Sequence, residues 1–184
     1  TAESRNIIVE HLRQGSVVLA NGQLSNNHID MSFEETSLRY RSLLAFKAAK
    51  LIEGLDVGFL APVPSGANGW AEAINKELDY IPVLMYATKK ARRVFKVLDP
   101  ETIETYKLSH AGKSGIVIDD VSSDGGTAEA LANYYESLGL KIGAILVILY
   151  RGHDEPVSKY ERMAVIRHHV PLDLAWDGEI PRLK

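Results

Sequence analysis

The sequence predicts an α/β fold: a mainly parallel sheet flanked by helices on both faces. Apolar runs such as "GIVID" from residue 115 and "GAILVILY" from 143 to 150 have the composition of buried strands. Segments of helical period, above all residues 37–54, alternate with such runs. Strands alternating with helices need crossover connections, and crossovers set neighbouring strands parallel.

The elements follow in order. "TAESRNIIVEHLRQG" interleaves charges with Ile7, Ile8 and Leu12 on one side, the pattern of an amphipathic helix. "VVLANGQLSNNHIDMSF" predicts short strands around an Asn-Gly turn. In "SLRYRSLLAFKAAKLIEG", Leu38, Leu43, Leu44, Phe46, Ala48, Leu51 and Ile52 fall at near-helical spacing, and Gly54 stands where a helix-ending glycine belongs. "DVGFLAP" predicts a buried strand, "ANGWAEAINKEL" a helix and "IPVLMYA" the next strand. Beyond them, "RRVFKVL" and "ETYKLSH" predict two short strands around a proline-containing turn. "GIVIDDV" is a strand, "TAEALANYYESLG" a helix, "KIGAILVILYR" a long strand, and "MAVIRHHVPLDL" one or two short strands. No repeat or linker interrupts the 184 residues, which fit one domain burying about two thirds of its unfolded surface.

Composition narrows the function. With 46% hydrophobic and 24% charged residues, the chain has an ordinary globular balance. Its longest apolar stretch, 143–150, is far short of the roughly 20 residues of a membrane span. No membrane partner is expected, and a cytoplasmic location follows as the default, since the N-terminal segment lacks a signal-peptide core. With no cysteine, disulfides, thiolate catalysis and zinc-thiolate sites drop out, and any metal must sit on oxygen or imidazole. The net charge of −3 argues against a nucleic-acid surface. "KKARRVFK", residues 89–96, nonetheless packs five cations into eight residues and suits a small polyanion.

The stretch "GIVIDDVSSDGGTAEA", residues 115–130, carries the chemistry. Ile116, Val117 and Ile118 fill a strand, so Asp119 and Asp120 emerge near its C-terminal edge, where ligands bind in such sheets. "SSDGGT" then leads into a helix, offering glycine-exposed amides, the hydroxyls of Ser122, Ser123 and Thr127, and the positive end of the helix dipole to a phosphate. The two acids suit sugar hydroxyls, or Mg²⁺ held through water. A phosphate beside a diol acceptor describes a ribose 5-phosphate. A nucleotide P-loop at "AGKSG" is excluded, because Lys107 replaces its first glycine and the motif precedes a strand. His168 and His169, adjacent on a strand, point to opposite faces and cannot share one ion, while Trp70 and Trp176 are expected in the core or a subunit interface.

"IVIDDVSSDGGTAEA" resembles the signature of the type I phosphoribosyltransferases, which bind phosphoribosyl pyrophosphate (PRPP) with paired acids and a hydroxyl-rich glycine loop. The resemblance implies that Asp119 and Asp120 hold the ribose hydroxyls and any metal, and that Ser122, Ser123, Asp124, Gly125, Gly126 and Thr127 hold the 5-phosphate. "LAPVPSGANGWAEAI" is similar to the family's pyrophosphate loop, centred on Pro64, Ser65, Gly66 and Ala67. Lys89, Lys90, Arg92 and Arg93 fall where the family places its catalytic basic loop.

Two further stretches resemble the orotate-using branch. In "VVLANGQLSNNHIDMSF", Asn21, Gly22, Ser25 and His28 are implied to lie against the base, and Arg151 in "VILYRGHDE" to meet the orotate carboxylate as a bidentate partner. The resemblance further implies an N-terminal hood over residues 1–36, Mg²⁺ dependence, PRPP and a nucleobase as substrates, and a homodimer. This chain departs from the branch at four places: Asp124 replaces a small residue, Tyr150 an acid and His28 a tyrosine, and the basic loop is long. Transfer to a purine or another base, and a PRPP- or nucleotide-sensing regulator without turnover, stay open beside orotate.

Overall fold

The computed structural model describes residues 1–18, 24–110, 112–154 and 157–169, with the side chains of 13–18 and 24–26 excepted. Asn21, Gly22 and Trp176 lie outside the described residues.

Helix α1 (Ala2–His11) is capped by Thr1, whose side chain accepts from the Ser4 amide at 3.2 Å, and it buries Ile7 and Ile8. Strands β1 (Leu12–Val18) and β2 (Leu24–Ile29) pair antiparallel as the expected hairpin. Helix α2 (Leu38–Ile52) ends at Glu53, and Gly54 at φ 89° turns the chain away. Its inner face is Tyr40, Leu44, Ala45, Ala48, Ala49 and Ile52. Leu38, Phe46 and Leu51 of the expected apolar set are exposed, because the small alanines, rather than the larger side chains, take the packed side.

β3 (Val57–Pro62) is buried throughout and leads to α3 (Asn68–Glu77), whose Trp70 is fully buried and donates from Nε1 to the Met31 carbonyl at 2.7 Å. The strand expected over "IPVLMYA" shrinks to β4 (Val83–Leu84), since the chain then leaves the sheet for a hairpin of β5 (Ala87–Ala91) and β6 (Val94–Val97). Only part of "RRVFKVL" is strand, and "ETYKLSH" is helical up to Ser109, the last residue of α4 (Pro100–Ser109), with His110 as its C-cap. The physical reason is a start signal: the Asp99 side chain accepts from the amides of Glu101 and Thr102 at 3.1 and 3.3 Å, and Pro100 occupies the first helical turn.

β7 (Ser114–Ser122), α5 (Gly126–Ser137), β8 (Ile142–Tyr150) and β9 (Glu161–Arg167) complete the described elements. The central sheet has the order β4-β3-β7-β8-β9 with every pair parallel, so the predicted fold class stands. Its floor is Phe59 and Leu60 on β3, Ile116 to Ile118 on β7 and Ala144 to Leu149 on β8, nearly all without solvent contact. Among the described residues no helix is long and apolar enough to cross a membrane.

Candidate functional site

The C-terminal ends of β3, β7 and β8 carry the polar residues, as a parallel sheet requires of a ligand site. After β3, the Pro64–Ser65 peptide is cis, the Asn68 amide donates to Ser65 O at 3.1 Å, and Ala67 is buried at the start of α3. Gly66 lies against Asp120: a Cβ there would overlap Asp120 Oδ2 and come within 3.3 Å of Ser32 Cβ. The Gly66 carbonyl also accepts from the Phe33 amide at 3.1 Å, fastening the segment after β2 to this loop.

On β7, Asp119 is only 4% exposed and Asp120 is half-buried. Burial, and then the neighbouring Asp120 carboxylate, push the Asp119 carboxyl well above its usual range, while Lys89 pulls it down by its charge. Burial also raises Asp120, although its carboxylate accepts from the Val121 amide at 2.8 Å. Asp119 is thus the group that holds a proton more tightly, and Asp120 the one that faces the Gly66 loop.

Ser122 is buried, and its carbonyl accepts from the Arg151 amide at 2.9 Å; Ser123 and Thr127 are partly exposed. Asp124 does not point away from the loop. Its Oδ1 accepts from the Gly126 amide at 2.9 Å, and its Oδ2 stands 3.1 Å from Arg93 Nη2. Gly125, at φ 73°, adopts the left-handed conformation that glycine tolerates best. A Cβ on Gly125 would run into the Arg162 guanidinium, and one on Gly126 into that of Arg93. The two glycines therefore leave room for two arginines against the loop.

Among the expected cations, Arg93 reaches the loop and Lys89 lies within electrostatic range of Asp119, while Lys90 and Arg92 are exposed. Their hairpin is docked on α5: the Val97 amide donates to the Tyr134 hydroxyl at 2.9 Å, and Phe95 is buried beside the same ring. Arg151, 3% exposed, donates from Nη1 to the Asn27 carbonyl at 3.1 Å, which brings the end of β8 under β2. His28 is half-buried on β2; Ser25 lies on the same strand opposite Val17. His168 follows β9, and its amide donates to the Tyr150 carbonyl at 2.9 Å.

Sequence reasoning missed two residues. Arg162, from β9, has a side chain 8% exposed and donates to Glu129 Oε2 at 2.6 Å, beside Gly125. Only the pairing of β8 with β9 reveals it. Asp30 accepts from the amide and the hydroxyl of Ser32 at 3.0 and 2.7 Å and adds negative charge near Asp120; the "HID" of the hood segment was its signal.

No cluster of three or more metal-ligating residues occurs among the described residues. Two carboxylates are too few for a closed cation site, but they fit Mg²⁺ when substrate oxygens and water complete the shell.

Comparison places this architecture. No family model matches the sequence, and no curated protein matches it. Solved structures do share the fold. UMP synthase of Leishmania donovani superposes with a TM-score of 0.62 at 23% identity over 89% of this chain, which spans 35% of that protein's length. Orotate phosphoribosyltransferase of Mycobacterium tuberculosis H37Rv, in complex with PRPP, superposes with a TM-score of 0.61 at 15% identity over 90% of this chain and 94% of its own. A phosphoribosyltransferase of Corynebacterium diphtheriae gives a TM-score of 0.66 at 12% identity, over 90% and 94%. The molecule is a parallel α/β protein with its polar loops at the C-terminal sheet edge. More particularly, it carries the type I phosphoribosyltransferase fold.

Proposed function

We propose that the chain transfers the phosphoribosyl group of PRPP to a nucleobase with release of pyrophosphate, and that the base is orotate. One observation carries the reading: an acid pair, a glycine loop opening α5, the Ser65-Gly66 loop and a cationic hairpin converge on one sheet edge.

In this reaction a base nitrogen bonds to the anomeric carbon as its bond to the pyrophosphate oxygen breaks, and pyrophosphate leaves with the electron pair. Asp120 accepts hydrogen bonds from the ribose hydroxyls. Asp119 sits behind it and tunes its charge. The amides of 124–127 hold the 5-phosphate at the α5 N-terminus. Ser65, Gly66 and Ala67 cradle the pyrophosphate, and Lys89, with Lys90, Arg92 and Arg93, offsets its developing charge. Asp120, with Asp119 behind it, would hold Mg²⁺ through water, and the ion would offset the charge of the leaving group. Arg151 reads the base carboxylate from beneath β2, with Ser25 and His28 on the strand above. One domain spanning 1–184, with 1–36 as the hood, a cytoplasmic location and a homodimer belong to the same proposal.

The placement of Asp124 favours a second reading, a PRPP or nucleotide sensor without turnover, because its carboxylate occupies the Gly126 amide of the phosphate loop. Pyrophosphate release from PRPP and Mg²⁺ with orotate, uracil, adenine, guanine, hypoxanthine or xanthine, beside calorimetry of PRPP alone, decides between them. Release with orotate supports transfer as proposed. Release with another base keeps the chemistry and removes orotate. Binding without release favours the sensor, and no PRPP binding removes both.

A further inference from the structure

The phosphate loop already holds an anion of its own. Asp124 Oδ1 accepts from the Gly126 amide at 2.9 Å, at the first turn of α5, and Oδ2 engages Arg93 Nη2 at 3.1 Å. Both donors suit a phosphate: a helix N-terminal amide and a guanidinium. A third lies alongside, since the Arg162 guanidinium rests against Gly125 with its side chain 8% exposed. Arg93 comes from the hairpin, 31 residues earlier in the chain. Its φ of 57° is uncommon outside glycine, and this conformation at the hairpin tip accompanies the placement of its guanidinium on Gly126.

We propose that Asp124 is an internal competitor for the 5-phosphate: in the free protein its carboxylate occupies the loop, and a phosphate ligand must displace it and take over Arg93. This rests on the phosphoribosyl reading of the same loop and adds what sets its affinity. Two anions cannot share one amide and one guanidinium without repulsion. Asp124 therefore turns outward as the phosphate enters, and the site favours a dianionic phosphate over weaker anions. Asp124 is half-exposed on its side chain, so that movement needs no opening of the core.

The test titrates inorganic phosphate, ribose 5-phosphate and PRPP into the full chain and into Asp124→Asn by calorimetry. Asparagine keeps an oxygen for the Gly126 amide and removes the charge. The expected result is phosphate and ribose 5-phosphate binding at least about tenfold tighter in Asp124→Asn, with that gain abolished when Arg93→Ala is added. Detectable phosphate binding in the variant alone is the same outcome. Unchanged or weaker phosphate binding, including none in either protein, overturns the proposal, whatever PRPP does. Tighter phosphate binding in Asp124→Asn with no PRPP binding in either protein leaves the competitor standing and removes the phosphoribosyl reading. PRPP bound by both proteins, with phosphate affinity unchanged, does the reverse.

Discussion

Gly66 and Asp120 touch across the end of the sheet: the bare Cα of Gly66 is all that leaves room for Asp120 Oδ2. The contact joins the loop after β3 to the acid on β7, the two parts that the proposed reaction assigns to pyrophosphate and ribose. Gly66→Ala pushes a methyl into the carboxylate, and Asp120 is held in place by the Val121 amide at 2.8 Å. Overpacking of this kind costs about 1–3 kcal/mol. The variant should melt earlier than the wild type and lose PRPP binding. Adding Asp120→Ala should restore the melting temperature without restoring binding, which calorimetry and thermal melts read separately.

Asp119 predicts a pH dependence. Its carboxyl is raised by burial and by Asp120, so from about pH 4 up to that raised value the folded chain binds a proton that the unfolded chain has released. Stability therefore falls as pH rises through this window. Asp119→Asn removes the titrating group. It should be the more stable protein at pH 7, by about 2–4 °C for each kcal/mol gained, and should lose that advantage near pH 4. Melting curves between pH 4 and 8 check the trend; a constant difference across the range would contradict it.

What the sequence revealed, and what it hid, follows from how far apart the interacting residues lie. Residues 115–127 were readable because strand, acids, glycine loop and helix start are consecutive and each leaves a local mark. Residues 99–109 were readable in principle, since Asp99 and Pro100 form a start signal, but the β-like run before them drew the strand pattern onward past it. The inner face of α2 was misread at Leu38, Phe46 and Leu51, because periodicity marks apolar residues without saying which meet the sheet. Arg162 left no mark at all. Its meeting with Gly125 needs β9 to lie beside β8, a fact of strand order.

Arg151 links the base side of the proposed site to the fold. It is nearly without solvent contact, and Nη1 donates to the Asn27 carbonyl, so it supports β2 as well as any ligand. Arg151→Ala should cost about 1.5–3 kcal/mol, the usual loss for a hydrogen bond from a charged group. Amide exchange over 24–29 should rise. If melting temperature and exchange stay unchanged while orotate turnover falls, Arg151 serves the base alone.

The hairpin that carries the cations should depend on one hydroxyl. The Tyr134 oxygen accepts from the Val97 amide at 2.9 Å, and Phe95 packs beside the ring. Tyr134→Phe keeps the packing and removes the acceptor, leaving the Val97 amide without its partner at a cost of about 1 kcal/mol. The loss falls on the end of β6, close to the base of the hairpin, so its tip should swing more freely and Arg93 should spend less time on Asp124. Limited proteolysis at Lys89–Lys96 should quicken, with exchange at Val97 raised and exchange in β7 unchanged. Equal protection of Val97 in both proteins would mean that Phe95 and Ala87, rather than the hydroxyl, hold the hairpin down.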